Sequence, residues 1–157
     1  MTADGPWLDD DQQRVWRQWL DVTSRLPTAL NRQLQEASDL SLPDFDVLVP
    51  LSEDPEGRMR VRALADRLQW ERSRVSHHVS RMERRLLVRR EECDDDRRGW
   101  WIVLTDEGRR AIEAVAPDHV TFVREVFFDV LEPADLAALD AITARIAERL
   151  DRAQPGV

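Results

Sequence analysis

Apolar residues at Val15, Trp16, Trp19, Leu20, Leu26, Leu30 and Leu34 recur at helical spacing and predict a helix from about Asp9 to Ala37. Pro27 falls inside this run; lacking an N–H and crowding the preceding turn, it is expected to kink or divide the helix. Ser41, Pro43 and Asp44 make a start signal of capping side chain, first-turn proline and early acid. The helix they open runs through Phe45, Val47, Leu48 and Leu51 to about Glu53, with Pro50 as a second irregularity. Asp54-Pro55-Glu56-Gly57 reads as a turn. Val61, Leu64, Ala65 and Leu68 then give a short helix its buried stripe, and Gln69 and Trp70 lie at a bend. From Glu71 to about Arg85 the apolar positions Val75, Val79 and Met82 fall at i, i+4 and i+7, and Leu86 extends the stripe.

The period then changes. Leu87–Cys93 and Trp100–Leu104 read as two strands flanking a polar tip, Asp94-Asp95-Asp96-Arg97-Arg98-Gly99, which makes a β-hairpin. Thr105 caps a helix that carries Asp106 and Glu107 in its first turn and reaches about Asp129, with a bend expected near Pro117. Pro133 opens a last helix with the stripe Leu136, Leu139, Ile142, Ile146 and Leu150. The fold class is mainly α with a small β-hairpin wing: a winged helix-turn-helix between long N- and C-terminal helices. Little lies between those end helices to cover their apolar faces, so they are expected to cover one another across a homodimer. The division is a flexible N-terminus at 1–8, a helical dimerisation region at 9–40 and 106–152, the winged helix-turn-helix at 41–105, and a flexible C-terminus at 153–157.

Charge sharpens this picture. Arg58 to Arg90 holds eleven arginines against three acids, a net of +8, within a chain whose total is −8. A cationic stripe on an acidic protein needs an anionic partner, most commonly a nucleic-acid backbone, and the acidic remainder forces that contact to be local and oriented. All 23 cations are Arg, which suits bidentate phosphate and guanine contacts, although GC-rich codon bias also accounts for the absence of Lys. One cysteine, Cys93, excludes a disulfide framework and a multi-cysteine zinc site. No apolar run reaches the ~18 residues of a membrane span and no signal-peptide pattern opens the chain, so no membrane association and a cytoplasmic location are expected.

On a helical wheel, Val75, Val79, Met82 and Leu86 face the core, while Ser73, His77, Ser80, Arg81 and Arg84 fall opposite, with Arg74 at the edge of the polar face. His78 lies close to the apolar arc, so it packs within the domain while His77 reads bases. The adjacent pair points about 100° apart and does not converge on one metal ion. Small serines allow close approach to base edges, and Arg74 or Arg81 can donate two bonds to a guanine. The expected DNA-binding set is Arg72, Ser73, Arg74, Ser76, His77, Ser80, Arg81, Arg84, Arg97 and Arg98. At the hairpin tip Arg98 is the first choice to enter a minor groove, with Asp96 as the acid that holds its direction.

Two stretches carry a resemblance: Leu64-Ala65-Asp66-Arg67-Leu68 with Ser73 through Glu83, and Asp96-Arg97-Arg98-Gly99 followed by Val103-Leu104-Thr105-Asp106-Glu107-Gly108. In these the chain resembles the MarR family of winged-helix transcriptional regulators; the wing matches that family's Asp-x-Arg and Leu-Thr-x-x-Gly pattern. The resemblance implies an obligate homodimer on palindromic double-stranded DNA, with recognition helices in the major groove and Arg98 of each wing in a flanking minor groove. It departs at Leu86, where a glycine is usual and where a left-handed cap would be resisted, and at Pro27.

Many members of that family are released from DNA by small aromatic or phenolic compounds, and Trp16, Trp19 and Phe45 are the candidate lining here; a tryptophan stripe at helical spacing is also an ordinary core or dimer-interface pattern. Cys93, beside Glu91, Glu92 and Asp94, is a poor redox switch because the acids disfavour its thiolate. The leading expectation is a homodimeric repressor released by a small aromatic ligand. The alternatives are a ligand-independent regulatory or architectural DNA-binding protein, or a winged helix used for protein contacts. No cofactor, metal or enzymatic activity is expected, because no nucleophile–base spacing, phosphate-binding glycine loop or metal cluster is present.

Overall fold

The computed structural model describes residues 7–93 and 96–153, the side chains of residues 96–98 excepted. Two units compose it, one ending at His119 and the other beginning at Val120. In the first, Asp9 caps helix α1 (Asp10–Ala37): its carboxylate accepts the Gln12 N–H at 2.8 Å and Gln12 returns the bond at 3.1 Å. Pro27 does not divide α1. The helix is continuous through it, and the hydroxyls of Thr23, Ser24 and Thr28 bond carbonyls three or four residues back around the proline. A 28-residue ladder absorbs one missing bond.

Ser41 caps α2 (Leu42–Glu53) in a capping box with Asp44, as its sequence signal implies, and Pro50 is likewise absorbed. Gly57, at φ +66, turns the chain into a strand that the sequence pattern does not show, β1 (Arg58–Arg60). Three residues with one apolar member, Met59, are too short to display alternation. Helices α3 (Val61–Leu68) and α4 (Arg72–Arg84) follow, then β2 (Val88–Cys93) and β3 (Asp96–Leu104). The antiparallel sheet has the order β1-β3-β2. β3 begins earlier than Trp100: after Glu92 pairs with Trp100 the register shifts, and Cys93 pairs with Asp96.

The core is one cluster: Leu34 from α1, Val47, Leu48 and Leu51 from α2, Leu64 from α3, Val75, Val79 and Met82 from α4, Ile102 and Leu104 from β3, and Ile112 and Val115 beyond. Burial of this kind contributes about 1.5–3 kcal/mol per large apolar side chain. Leu86 does not extend the α4 stripe. It takes φ +60 and stands 69% exposed, while Leu87 is buried in its place. The Leu87 N–H bonds Met82 O at 3.1 Å and the Leu86 N–H bonds Glu83 O at 2.9 Å, so α4 closes in a Schellman motif with leucine where glycine is preferred.

Thr105 opens α5 (Asp106–Val123): its hydroxyl donates to the carbonyls of Leu86 and Leu87 and accepts the Gly108 N–H at 3.0 Å. Here a glycine is obligatory. A Cβ on Gly108 would lie 2.0 Å from the Leu87 carbonyl oxygen. The threonine and the glycine together seat the start of α5 against the exit of α4.

In the second unit, α5 passes into a π-helical turn, Arg124–Phe128, in place of the uninterrupted helix expected to Asp129. α6 (Pro133–Ala153) follows, with Asp135 accepting the Glu132 N–H at 3.0 Å. Its residues Leu136, Ile142, Ile146 and Leu150 are exposed. No helix among the described residues is long and apolar enough to cross a membrane.

Candidate nucleic-acid interface

The turn between α3 and α4 depends on Gln69, left-handed at φ +52, which lets the Trp70 N–H reach Ala65 O at 3.0 Å. The chain then re-enters helix at Arg72. Val75, Val79 and Met82 point into the core, and His78 is buried with them. The other face presents Arg72, Ser73, Arg74, Ser76, His77, Arg81 and Arg84, all exposed, with Ser80 half-buried. The helical wheel thus separates the two histidines correctly.

Asp44 fixes this helix from below. Its carboxylate, 3% exposed, accepts the Ser41 N–H at 2.9 Å and the Arg85 guanidinium at 2.7 Å, and His78 Nε2 lies 2.9 Å away. That last contact is close but off-axis, leaving Nε2 without a well-aligned hydrogen bond, so its value is mainly electrostatic. Burial alone would raise the Asp44 pKa; the contact with His78 and hydrogen bonds from Ser41 and Arg85 outweigh it and hold the carboxyl well below the usual carboxylate range.

Not every arginine on α4 is equally available. The Arg81 guanidinium bonds His78 Nδ1 at 2.7 Å, which draws it back towards the protein. Arg85 is bound to Asp44 and the Asp39 carbonyl. The Ser80 hydroxyl is also engaged: it donates to Ser76 O at 2.9 Å and accepts from Arg90 at 3.0 Å. Arg90 reaches across from β2 to bond Glu83 at 2.8 Å and Ser76 O at 2.8 Å, clamping the wing to α4.

Between α3, α4 and the wing lies a cleft of about 1030 Å³, lined by Arg60, Arg62, Arg72 and Arg90 together with Ser76, Glu83, Gly99 and Trp100. Four guanidinium groups against one carboxylate make it cationic in a protein of net charge −8. Such a concavity suits a phosphodiester strand. The side chains of Asp96, Arg97 and Arg98, the expected wing contacts, lie outside the described residues.

The MarR family model matches residues 38–99, from just before α2 into the wing. The crystal structure of AbsC, a MarR family transcriptional regulator from Streptomyces coelicolor, is similar at 44% identity and a TM-score of 0.90, covering 96% of this chain and 100% of its own. The chain belongs to the MarR family. Sco3205, a MarR family regulator of the same organism solved in complex with DNA, is 38% identical with a TM-score of 0.90, covering 99% of this chain and 95% of its own. PcaV, also from Streptomyces coelicolor and solved with its natural ligand, is 25% identical with a TM-score of 0.67, covering 81% of this chain and 89% of its own. No curated protein sequence matches.

Within this MarR-family chain the three expected ligand-lining residues do not meet in one protomer. Phe45 packs on His119, ring centroids 4.3 Å apart, and the His119 Nδ1–H bonds Gln33 Oε1 at 2.9 Å. Trp19 lies fourteen residues before Gln33 on the same helix, about 21 Å away at 1.5 Å per residue, and Trp16 lies farther still. Both tryptophans are largely exposed. Sequence reasoning also missed Arg60, Arg62 and Arg90 at the cleft. The spacing of Arg58, Arg60 and Arg62 was the available signal, since alternate arginines entering a short helix mark an extended cationic edge.

Proposed function

We propose that this protein is a sequence-specific DNA-binding transcriptional regulator that acts as a homodimer, with α4 of each protomer in the major groove of a palindromic operator. The carrying observation is the exposed polar face of α4 beside the four-arginine cleft, on a chain that is otherwise strongly acidic. Similarity to Sco3205, solved in complex with DNA, supports the same reading. In it, His77 and Arg74 read bases, while Arg60, Arg62, Arg72 and Arg84 hold phosphates and Arg90 keeps the wing against α4.

Dimerisation is supported by the apolar residues that each protomer leaves exposed: Val15, Trp16, Trp19 and Leu20 on α1, and Leu136, Ile142, Ile146 and Leu150 on α6. Two-fold symmetry then sets half-site centres about 10 base pairs apart. The regulator is a repressor released by a small aromatic or phenolic ligand; the stacked rings of Phe45 and His119 at the edge of the core support an aromatic one, and PcaV's structure with its natural ligand supports ligand binding as such.

The test is fluorescence anisotropy with the promoter duplex adjoining this protein's own gene, titrated against salt and against aromatic acids. Binding with a steep negative salt slope, lost on adding the effector, supports the proposal. A salt-independent complex refutes DNA-backbone contact, and binding indifferent to every acid removes the ligand arm.

A further inference from the structure

Arg74 differs from the other arginines of the recognition helix. Its guanidinium carbon sits 4.0 Å from the centroid of the Trp70 ring. Trp70 meets the ring of His78 edge-on, centroids 5.7 Å apart, and His78 is held between Asp44 and Arg81. A continuous series of contacts therefore runs from a buried carboxylate on α2 to one exposed guanidinium in the first turn of α4. Among the described residues, Arg74 is the one α4 arginine lying over an aromatic ring.

The kind of contact matters. An ion pair or hydrogen bond occupies the N–H edge of a guanidinium, as at Arg81 and Arg85. Stacking occupies its face and leaves the donor edge free for a planar, bidentate acceptor. A stacked arginine has also already lost much of its rotamer freedom, so less is lost on meeting a base. The first turn of a recognition helix is the part that reaches base edges.

We propose that Trp70 is a positioning residue that holds Arg74 ready to read a guanine, so that sequence discrimination depends on a side chain that need not touch DNA. This rests on the reading of α4 as the DNA-facing helix. Two expectations follow. Arg74→Ala lowers affinity for the matched operator about 5- to 150-fold, the range of one bidentate base contact, with a much smaller loss on random duplex. Trp70→Leu removes part of the same discrimination, about three- to ten-fold, because the guanidinium is retained but no longer held.

The experiment is a double-mutant cycle by competition anisotropy on matched and random duplexes, using the full-length dimer. The expected result is that Trp70→Leu with Arg74→Ala is no worse than Arg74→Ala alone, and that Trp70→Phe, which keeps a ring under the guanidinium, restores near wild-type discrimination. Additive losses overturn the proposal, as does Trp70→Leu weakening both duplexes alike. Should Trp70→Leu fail to fold, Arg74→Lys decides. It keeps the charge and loses the planar stack, and full discrimination by that variant overturns the proposal. If His77→Ala and Arg74→Ala both leave both duplexes unchanged, the α4 reading itself fails and the proposal falls with it.

Discussion

Asp44 is the group on which the placement of α4 most depends, and its removal has a calculable cost. Asp44→Ala deletes the bonds its carboxylate accepts from the Ser41 N–H and hydroxyl, worth about 1 kcal/mol, while the bond from the residue-44 N–H to the Ser41 hydroxyl survives. It also removes the carboxylate beside the buried His78 Nε2, an off-axis contact worth about 0.5–1 kcal/mol. The Arg85 pair adds only about 0.5–1 kcal/mol, because the guanidinium is 39% exposed and solvent screens it. The expected loss is about 2–3 kcal/mol in urea denaturation followed by circular dichroism at fixed protein concentration. The effect is also pH-dependent. The folded pKa of Asp44 is depressed from 3.8, so its stabilisation is fully present above about pH 4 and is lost as pH falls towards the folded value. The gap between wild type and Asp44→Ala should therefore narrow in acid. A loss below about 1 kcal/mol at pH 7, or a gap that widens on acidification, refutes the assignment of Asp44 as the anchor of α4.

Other consequences are as specific. Gly108→Ala forces a Cβ to within 2.0 Å of the Leu87 carbonyl and should cost at least about 2 kcal/mol in the same unfolding assay; an unchanged midpoint contradicts the packing described for Thr105 and α5. Leu86→Gly should raise stability by about 0.5–1 kcal/mol, since relief of left-handed strain exceeds glycine's extra freedom in the unfolded chain, whereas a loss shows that the exposed leucine packs on something. Replacing Trp16 and Trp19 with Gln should shift sedimentation from dimer to monomer while the helical spectrum persists, because both side chains are already largely exposed within the protomer; an undisturbed dimer places the interface elsewhere.

The sequence was most legible where a period or a cap had a single physical solution. The Ser41–Asp44 capping box, the Thr105–Gly108 cap and the i, i+4, i+7 stripe of α4 each name their elements with small boundary error. The wheel that buries His78 and exposes His77 follows from 100° per residue alone. What the sequence concealed depends on contacts far apart in the chain. β1 exists because β3 is beside it, and Asp44 meets Arg85 forty-one residues away. Leu86 leaves the α4 stripe because the backbone reverses hand there, while the apolar period of the sequence continues past that point. Arg81 and Ser80 keep their predicted face, yet His78 and Arg90 engage their polar atoms, which no wheel reveals. The first two helices carry prolines that propensity treats as breaks, and the packed ladder overrides them.

If the polar face of α4 reads base edges, His77 is the side chain whose loss shows it. The measurement is the ratio of affinities for the operator and a scrambled duplex of equal length, at one salt concentration, for wild type and His77→Ala. His77→Ala should lower affinity for the operator about 5- to 150-fold with little change on the scrambled duplex. An equal fall on both duplexes, or none on either, contradicts it.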